Sequence, residues 1–480
     1  MTPSLTRRPG DEPWVRVEPG LPYFVTEDGS PWTPIGQNDA ISWVEFAGLY
    51  RRRDLASVEA HLVRLRRHGV TCLRLMLEYA QGRRFYLERP AGRFVPHMVT
   101  LWDDLFRICE QTGLKILLTP FDTFWTWLQW EHHPYNARHG GPLDHPSRFL
   151  LDRATREAIK NRLTFAVERW GGSSALFAWD LWNEIHPAQA QDSADGFGEF
   201  IQDLSVHVRA LETRLYGRAH PQTVSLFGPE LWWRPQMDLR TPIYRHDDLD
   251  FATIHIYHEG TIDHPRDTVR PAISTGRIVR EALDEIRDGR PFLDSEHGPI
   301  HTFKDKRRSL PEAFDDEYFR HMQWAHLASG GAGGGMRWPN RKPHVLTAGM
   351  RRAQQALASV AAHVDWTTFR RRNLNAEVKT LSSHLAVFAC GDAGQALVWL
   401  LRTDIVGRDG RLRRDAAPLS TWLRVPGLAD GRYRVAGFDG FTGERAWTLA
   451  ADSGNAGLSM ALPPIATDIV IAIGRDEAGP

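Results

Sequence analysis

From about residue 34 to residue 363 the sequence keeps one beat: a short apolar run, a polar tip, then a stretch with helical spacing. Apolar runs joined through helices must lie side by side and point the same way, so the alternation demands a parallel sheet. The runs occupy 34–39, 70–77, 114–120, 176–183, 222–228, 251–257, 291–294 and 330–338. Between them, Leu55, Val58, Leu62 and Leu65 share a helix face opened by Asp54 and stopped by His68-Gly69. Leu101, Leu105 and Ile108 mark a second helix, and residues 153–170, 197–211, 278–286, 318–327 and 348–363 carry further ones. Eight such units over roughly 330 residues predict a closed (β/α)8 barrel, the TIM barrel. An open doubly wound sheet would place a glycine-rich phosphate turn after its first strand. Gln37-Asn38-Asp39 is not one. The eighth run is weak as a strand by itself, but its glycines suit close approach where a barrel closes.

After about residue 370 the beat changes to short extended runs separated by Gly, Pro and Asp, which predicts an all-β sandwich. Before the barrel, Trp14 to Pro34 alternates around the turn Glu27-Asp28-Gly29-Ser30 as a hairpin does. The expected organisation is therefore a frayed arm and hairpin at 1–30, a barrel at 31–368 and a β-sandwich at 369–480.

Lys+Arg and Asp+Glu balance at 59 each, so no net field directs the chain to nucleic acid or to a lipid surface. Arg51-Arg52-Arg53 and Arg370-Arg371-Arg372 lack interleaved aromatics and read as solvated charge. Cys72, Cys109 and Cys390 show no disulfide or zinc spacing and read as buried thiols. No signal-peptide core or bilayer-length run is evident, so a cytoplasmic location without membrane association is expected. The oligomeric state is not readable.

In a parallel barrel, residues at the strand ends converge on one face however far apart they lie in sequence. That rule gathers Asn38 and Asp39, Arg74 and Glu78, Asp122, Asn183 and Glu184, His255 and Tyr257, Glu296 and His297, and Trp338. Two carboxyl groups about 5 Å apart cannot both be comfortably charged, so one keeps its proton and can donate it. The other, beside a guanidinium, can attack an anomeric carbon. The loop after the third run adds Trp125, Trp127 and Trp130, and Trp232-Trp233 follows the fifth. Each aromatic fits either a sugar-stacking wall or loop packing. His132-His133 lacks a well-placed third ligand, so no metal and no cofactor is expected.

Asn-Glu ending run four, His-x-Tyr on run six, Glu-x-Gly ending run seven, Arg on run two and Trp after run eight resemble the retaining β-glycosidases of clan A. Within that clan the chain is most similar to glycoside hydrolase family 5, with its cellulases, mannanases and β-mannosidases, over roughly residues 30 to 345. The resemblance implies Glu184 as acid/base and Glu296 as nucleophile. Asn183 would bond the sugar 2-hydroxyl, Arg74 would hold Glu296 ionised and Tyr257 would donate to it. His255 would bond the acid/base, and Trp338 would floor the site. The family's His after strand three is absent: Asp122 stands there, expected to contact sugar hydroxyls in its place. The implied activity is double-displacement hydrolysis of β-linked hexosides, β-mannoside or β-glucoside, as oligosaccharides or from a chain end. A transglycosidase using the same residues, or a non-catalytic carbohydrate-binding barrel, are the alternatives.

Overall fold

The computed structural model describes residues 12–51, 53–78, 85–258, 261–300 and 309–476. Arg52 and the arm at residues 1–11 lie outside them.

Eight parallel strands form the central sheet: β1 (Gly36–Asp39), β2 (Cys72–Met76), β3 (Lys115–Thr119), β4 (Leu176–Asp180), β5 (Gln222–Thr223), β6 (Ala252–His258), β7 (Phe292–Pro299) and β8 (Met336–Arg337). Neighbours run β5-β4-β3-β2-β1-β8-β7-β6. The two ends then meet: His255 N donates to Leu226 O at 2.8 Å and Gly228 N to His255 O at 2.9 Å. The sheet is a closed barrel. Outside it pack α1 (Leu55–Arg67), α2 (Pro96–Thr112), α3 (Arg153–Trp170), α4 (Phe197–Tyr216), α5 (Val269–Glu285), α6 (Glu312–Ala328) and α7 (Ala348–Ala361). Asp54 and Asp152 cap α1 and α3 by accepting from Ser57 N and Thr155 N.

The regular beat breaks at β5. Only Gln222–Thr223 is regular strand; beyond it the Ser225 N–H is shared between Asp180 at 3.0 Å and the Trp182 carbonyl at 3.2 Å. Two four-residue turns, Glu230–Trp233 and Thr241–Tyr244, stand where the repeating unit would place a helix. Pro235, two residues past the first of them, blocks its continuation, while Pro229 and Pro242 merely open the two turns. Strand β7 in contrast runs past the expected residue 294 to Pro299.

A small antiparallel sheet of Val15–Val17, Phe24–Thr26 and Pro31–Trp32 sets Phe24 edge-on against Phe177 and Phe251, where β4 and β6 begin. The N-terminal end of the barrel is thereby covered. Beyond α7, nine antiparallel strands form a sheet that curls on itself like a sandwich. Val398, Leu423, Val435, Leu458 and Ile471, from five of its strands, share one core. All three cysteines are buried and unpaired.

Candidate active site

Arg74 on β2 is fully buried, and its guanidinium is the hub of the barrel mouth. Nη1 donates to Glu296 Oε2 at 2.8 Å and to Asn38 Oδ1 at 2.9 Å; Nη2 donates to Asp180 Oδ2 and Asn183 Oδ1, both at 2.6 Å. A planar fork with five donors suits four acceptors gathered from three strands as no other side chain would.

A bulge at Ser295 shifts the pairing of β7 with β6, so Asp294 faces Ile254 and Glu296 faces His255. Glu296 then takes the Tyr257 hydroxyl at 2.5 Å on its other oxygen. Across from it, Glu184 lies four residues beyond the end of β4 with φ at 51°. A left-handed glutamate costs roughly 1–2 kcal/mol, a strain kept where surrounding structure fixes it. His255 Nδ1 lies 2.7 Å from Glu184 Oε1. Carboxylate oxygens of Glu184 and Glu296 and a nitrogen of His255 all fall within 4.8 Å of one another.

Burial pushes Glu184 up to about 7, with Asp180 and Glu230 adding to the rise and Arg74 and His186 opposing it. Burial also raises Glu296, and Glu184 adds to this, while His255, Arg74 and the Tyr257 hydroxyl pull it back. Burial drives His255 down to about 4, so its ring is neutral near pH 7.

Two of the gathered side chains turn inward. Asp122 is fully buried; it caps the turn Thr123–Leu128 through Trp125 N and accepts from Asn183 Nδ2. It positions the Asn183 amide. Asn38 likewise turns inward, donating to Ser295 O and Met336 O at 3.0 and 3.1 Å while holding Arg74. Glu78 is bound beneath the loop to Arg162 at 2.6 Å and His133 at 3.2 Å. Trp179 faces outward, donating to Glu212 of α4, while Asp180 beside it faces Arg74.

Asn183, Glu184, Tyr257, Glu296, Trp338, Trp125 and Trp127 line one open cavity of about 720 Å³. Trp43, Met76, Phe227, His186 and Glu230 line it too and were missed. Trp43 lies just past the polar tip of β1 and Phe227 at the end of the fifth run, so aromatics at and just beyond the run ends are the signal for both. Trp338 meets Trp43 edge to face at 5.1 Å. Among the described residues, Asp39, Glu45 and His61 also bring ligand-type atoms together, but Arg64 pairs there with Glu45 at 2.9 Å.

No family model matches the sequence, and no curated protein matches it either. Solved structures do. A glycoside hydrolase superposes with a TM-score of 0.59 at 12% identity over 99% of each chain. A glycoside hydrolase family 5 structure from Bacteroides vulgatus gives 0.59 at 11% identity over 98% of this chain and 95% of that one. The endo-β-1,4-mannanase of Thermotoga petrophila gives 0.50 at 14% identity, covering 90% and 91%. At such identities the likeness is one of fold: barrel and trailing β-sheet together.

Proposed function

We propose that the chain is a retaining glycoside hydrolase acting on β-linked hexosides, β-mannosides or β-glucosides. The observation that carries it is the pair Glu184 and Glu296, oxygens within 4.8 Å, one carboxyl raised to about 7 and the other clasped by Arg74 and Tyr257. Carboxyl groups about 5–5.5 Å apart leave no room for a water between them, which favours a covalent intermediate over direct inversion. The resemblance to family 5 motifs and the shared fold of solved glycoside hydrolases support the same reading.

In the first step Glu296 attacks C1 as the C1–O bond breaks, and the Glu184 proton passes to the leaving oxygen. The alcohol departs neutral and the sugar stays on Glu296 as an ester. Losing that proton leaves Glu184 as a carboxylate beside His255, able to take a proton from water. The water oxygen bonds C1, Glu296 is released as a carboxylate, and Glu184 is again protonated. Arg74 holds the nucleophile in line throughout, and the second Asn183 N–H is oriented by Asp122 for a sugar hydroxyl.

Aryl β-glucosides and β-mannosides offered to wild type, Glu184→Ala and Glu296→Ala test this. Wild type turns over at least one with retention, and each variant loses at least about 10³-fold in kcat. Azide rescues Glu296→Ala as the inverted glycosyl azide and Glu184→Ala as the retained one. Activity surviving in Glu296→Ala overturns the mechanism.

A further inference from the structure

Resting on that reading, the walls of the cavity bear on what is cleaved from the sugar. Glu184 protonates the leaving oxygen, so the leaving group lies beside Glu184, against the loops after β4 and β5. Those loops bring Ala188 and Phe227 into the cavity. The Phe227 ring is 5.7 Å from Tyr257, which bonds Glu296, and 5.7 Å from Trp233 on its other side. Trp233 is 52% exposed and Trp232 beside it 37%, so apolar surface runs from the carboxyl pair to the outer face. Across the mouth, the turn after β3 presents Trp127 and Leu128, 37% and 52% exposed. A rim this rich in exposed apolar side chains marks a contact surface.

Several polar groups of the same wall already pair with one another. His186 pairs with Glu230 at 3.3 Å, and Glu230 is held by Arg234 at 2.5 Å. Thr123 donates to Gln189 and accepts from Trp182. A second hexose would bring several hydroxyls to this wall and have to share or displace these pairings, and a buried hydroxyl without a partner is penalised. A hydrocarbon needs only contact. Aromatic rings alone would suit a sugar face as well; rings together with committed polar groups do not.

We infer that the leaving-group side accepts an apolar aglycone, so that the favoured substrates are β-hexosides of long-chain alkyl or aryl alcohols, with Phe227 and Trp233 selecting them. This departs from the oligosaccharides expected from sequence. Each methylene moved from water to an apolar wall contributes about 0.8 kcal/mol, close to a fourfold gain.

The test is a series of alkyl β-glucosides and β-mannosides from methyl to octyl, below their micellar concentrations, beside the matching β-linked disaccharides. With the full chain, kcat/KM rises about two- to fourfold per methylene and the octyl glycoside exceeds the disaccharide. Phe227→Ser and Trp233→Ala flatten that dependence on chain length. A flat series, or a disaccharide cleaved better than the octyl glycoside, overturns the inference and leaves β-glycoside hydrolysis standing. Failure on every alkyl glycoside, aryl glycoside and disaccharide removes the underlying reading and the inference with it.

Discussion

Glu184 is pushed up to about 7 because the cavity withholds the water that would solvate its charge, so it still holds its proton through the weakly acidic range. Its ionisation should set the alkaline limb of kcat/KM near pH 7, while the acid limb, set by Glu296, lies above the ordinary carboxylate range. The same shift is a stability statement. A carboxyl raised on folding contributes fully at low pH, and that contribution is lost as pH rises through about 7. Glu184→Gln, neutral at every pH, should match wild type near pH 4, below the unfolded carboxyl's pKa, and exceed it by about 1–3 kcal/mol near pH 8. Urea unfolding at both pH values reads this directly; equal differences at the two would show that Glu184 is not buried as charge. The convergence of Glu184, Glu296, Arg74, His255 and Tyr257 was legible because strand ends meet by topology. The inward turns of Asp122 and Asn38 were not, because a side chain's partner across the barrel depends on rotamers that no spacing encodes.

At the scale of elements, what the sequence pattern conveyed was the order of strands, and what it hid was their length and local register. The bulge at Ser295 brings Glu296 level with His255, and nothing in Asp294-Ser295-Glu296 announces it. Strand β5 is short in regular pairing, and Ser225 beyond it bonds Asp180 through both its N–H and its hydroxyl while keeping backbone contact with Trp182. The glycine run before β8, by contrast, was readable as a close approach. Gly333 has φ at 83°, and a Cβ there would lie 2.0 Å from Pro34 O. Gly217, after α4, has φ at 71° with nothing within 4 Å of that position. Gly217→Ala should therefore cost only the left-handed strain, about 1 kcal/mol. Gly333→Ala adds a backbone clash and should cost about 3 kcal/mol or more. Comparable unfolding midpoints for the two variants would mean the strand junction yields to make room.

For the whole molecule the question is whether barrel and β-sheet stand alone. Their contact is not a loose surface: Gly276 of α5 lies so close to Phe388 of the sheet that a Cβ would meet its ring at 2.6 Å. From α6, Trp324 donates to Gly440 O at 2.8 Å, and Arg320 donates through Nη1 to both oxygens of Asp468 at 2.9 Å. Both charges are buried, Arg320 at 4% exposure. Burial alone would raise Asp468, yet Arg320, His321 and the Trp399 N–H hold it below the usual carboxylate value. Removing one member of a buried pair leaves the other uncompensated, at a cost of about 3–5 kcal/mol. Asp468→Asn should impose that cost on the entire chain, because the guanidinium it strands belongs to the barrel. Calorimetry should then show one transition, moved down as a whole, and not a lowered sheet beside an unmoved barrel. The pH dependence supplies the second half of the argument. A carboxylate depressed on folding stabilises above its unfolded pKa, and that stability fades as pH falls through the folded value. The gap between wild type and Asp468→Asn should therefore be full near pH 7 and close in acid, and two separately moving transitions at pH 7 would show that the units are joined but not coupled.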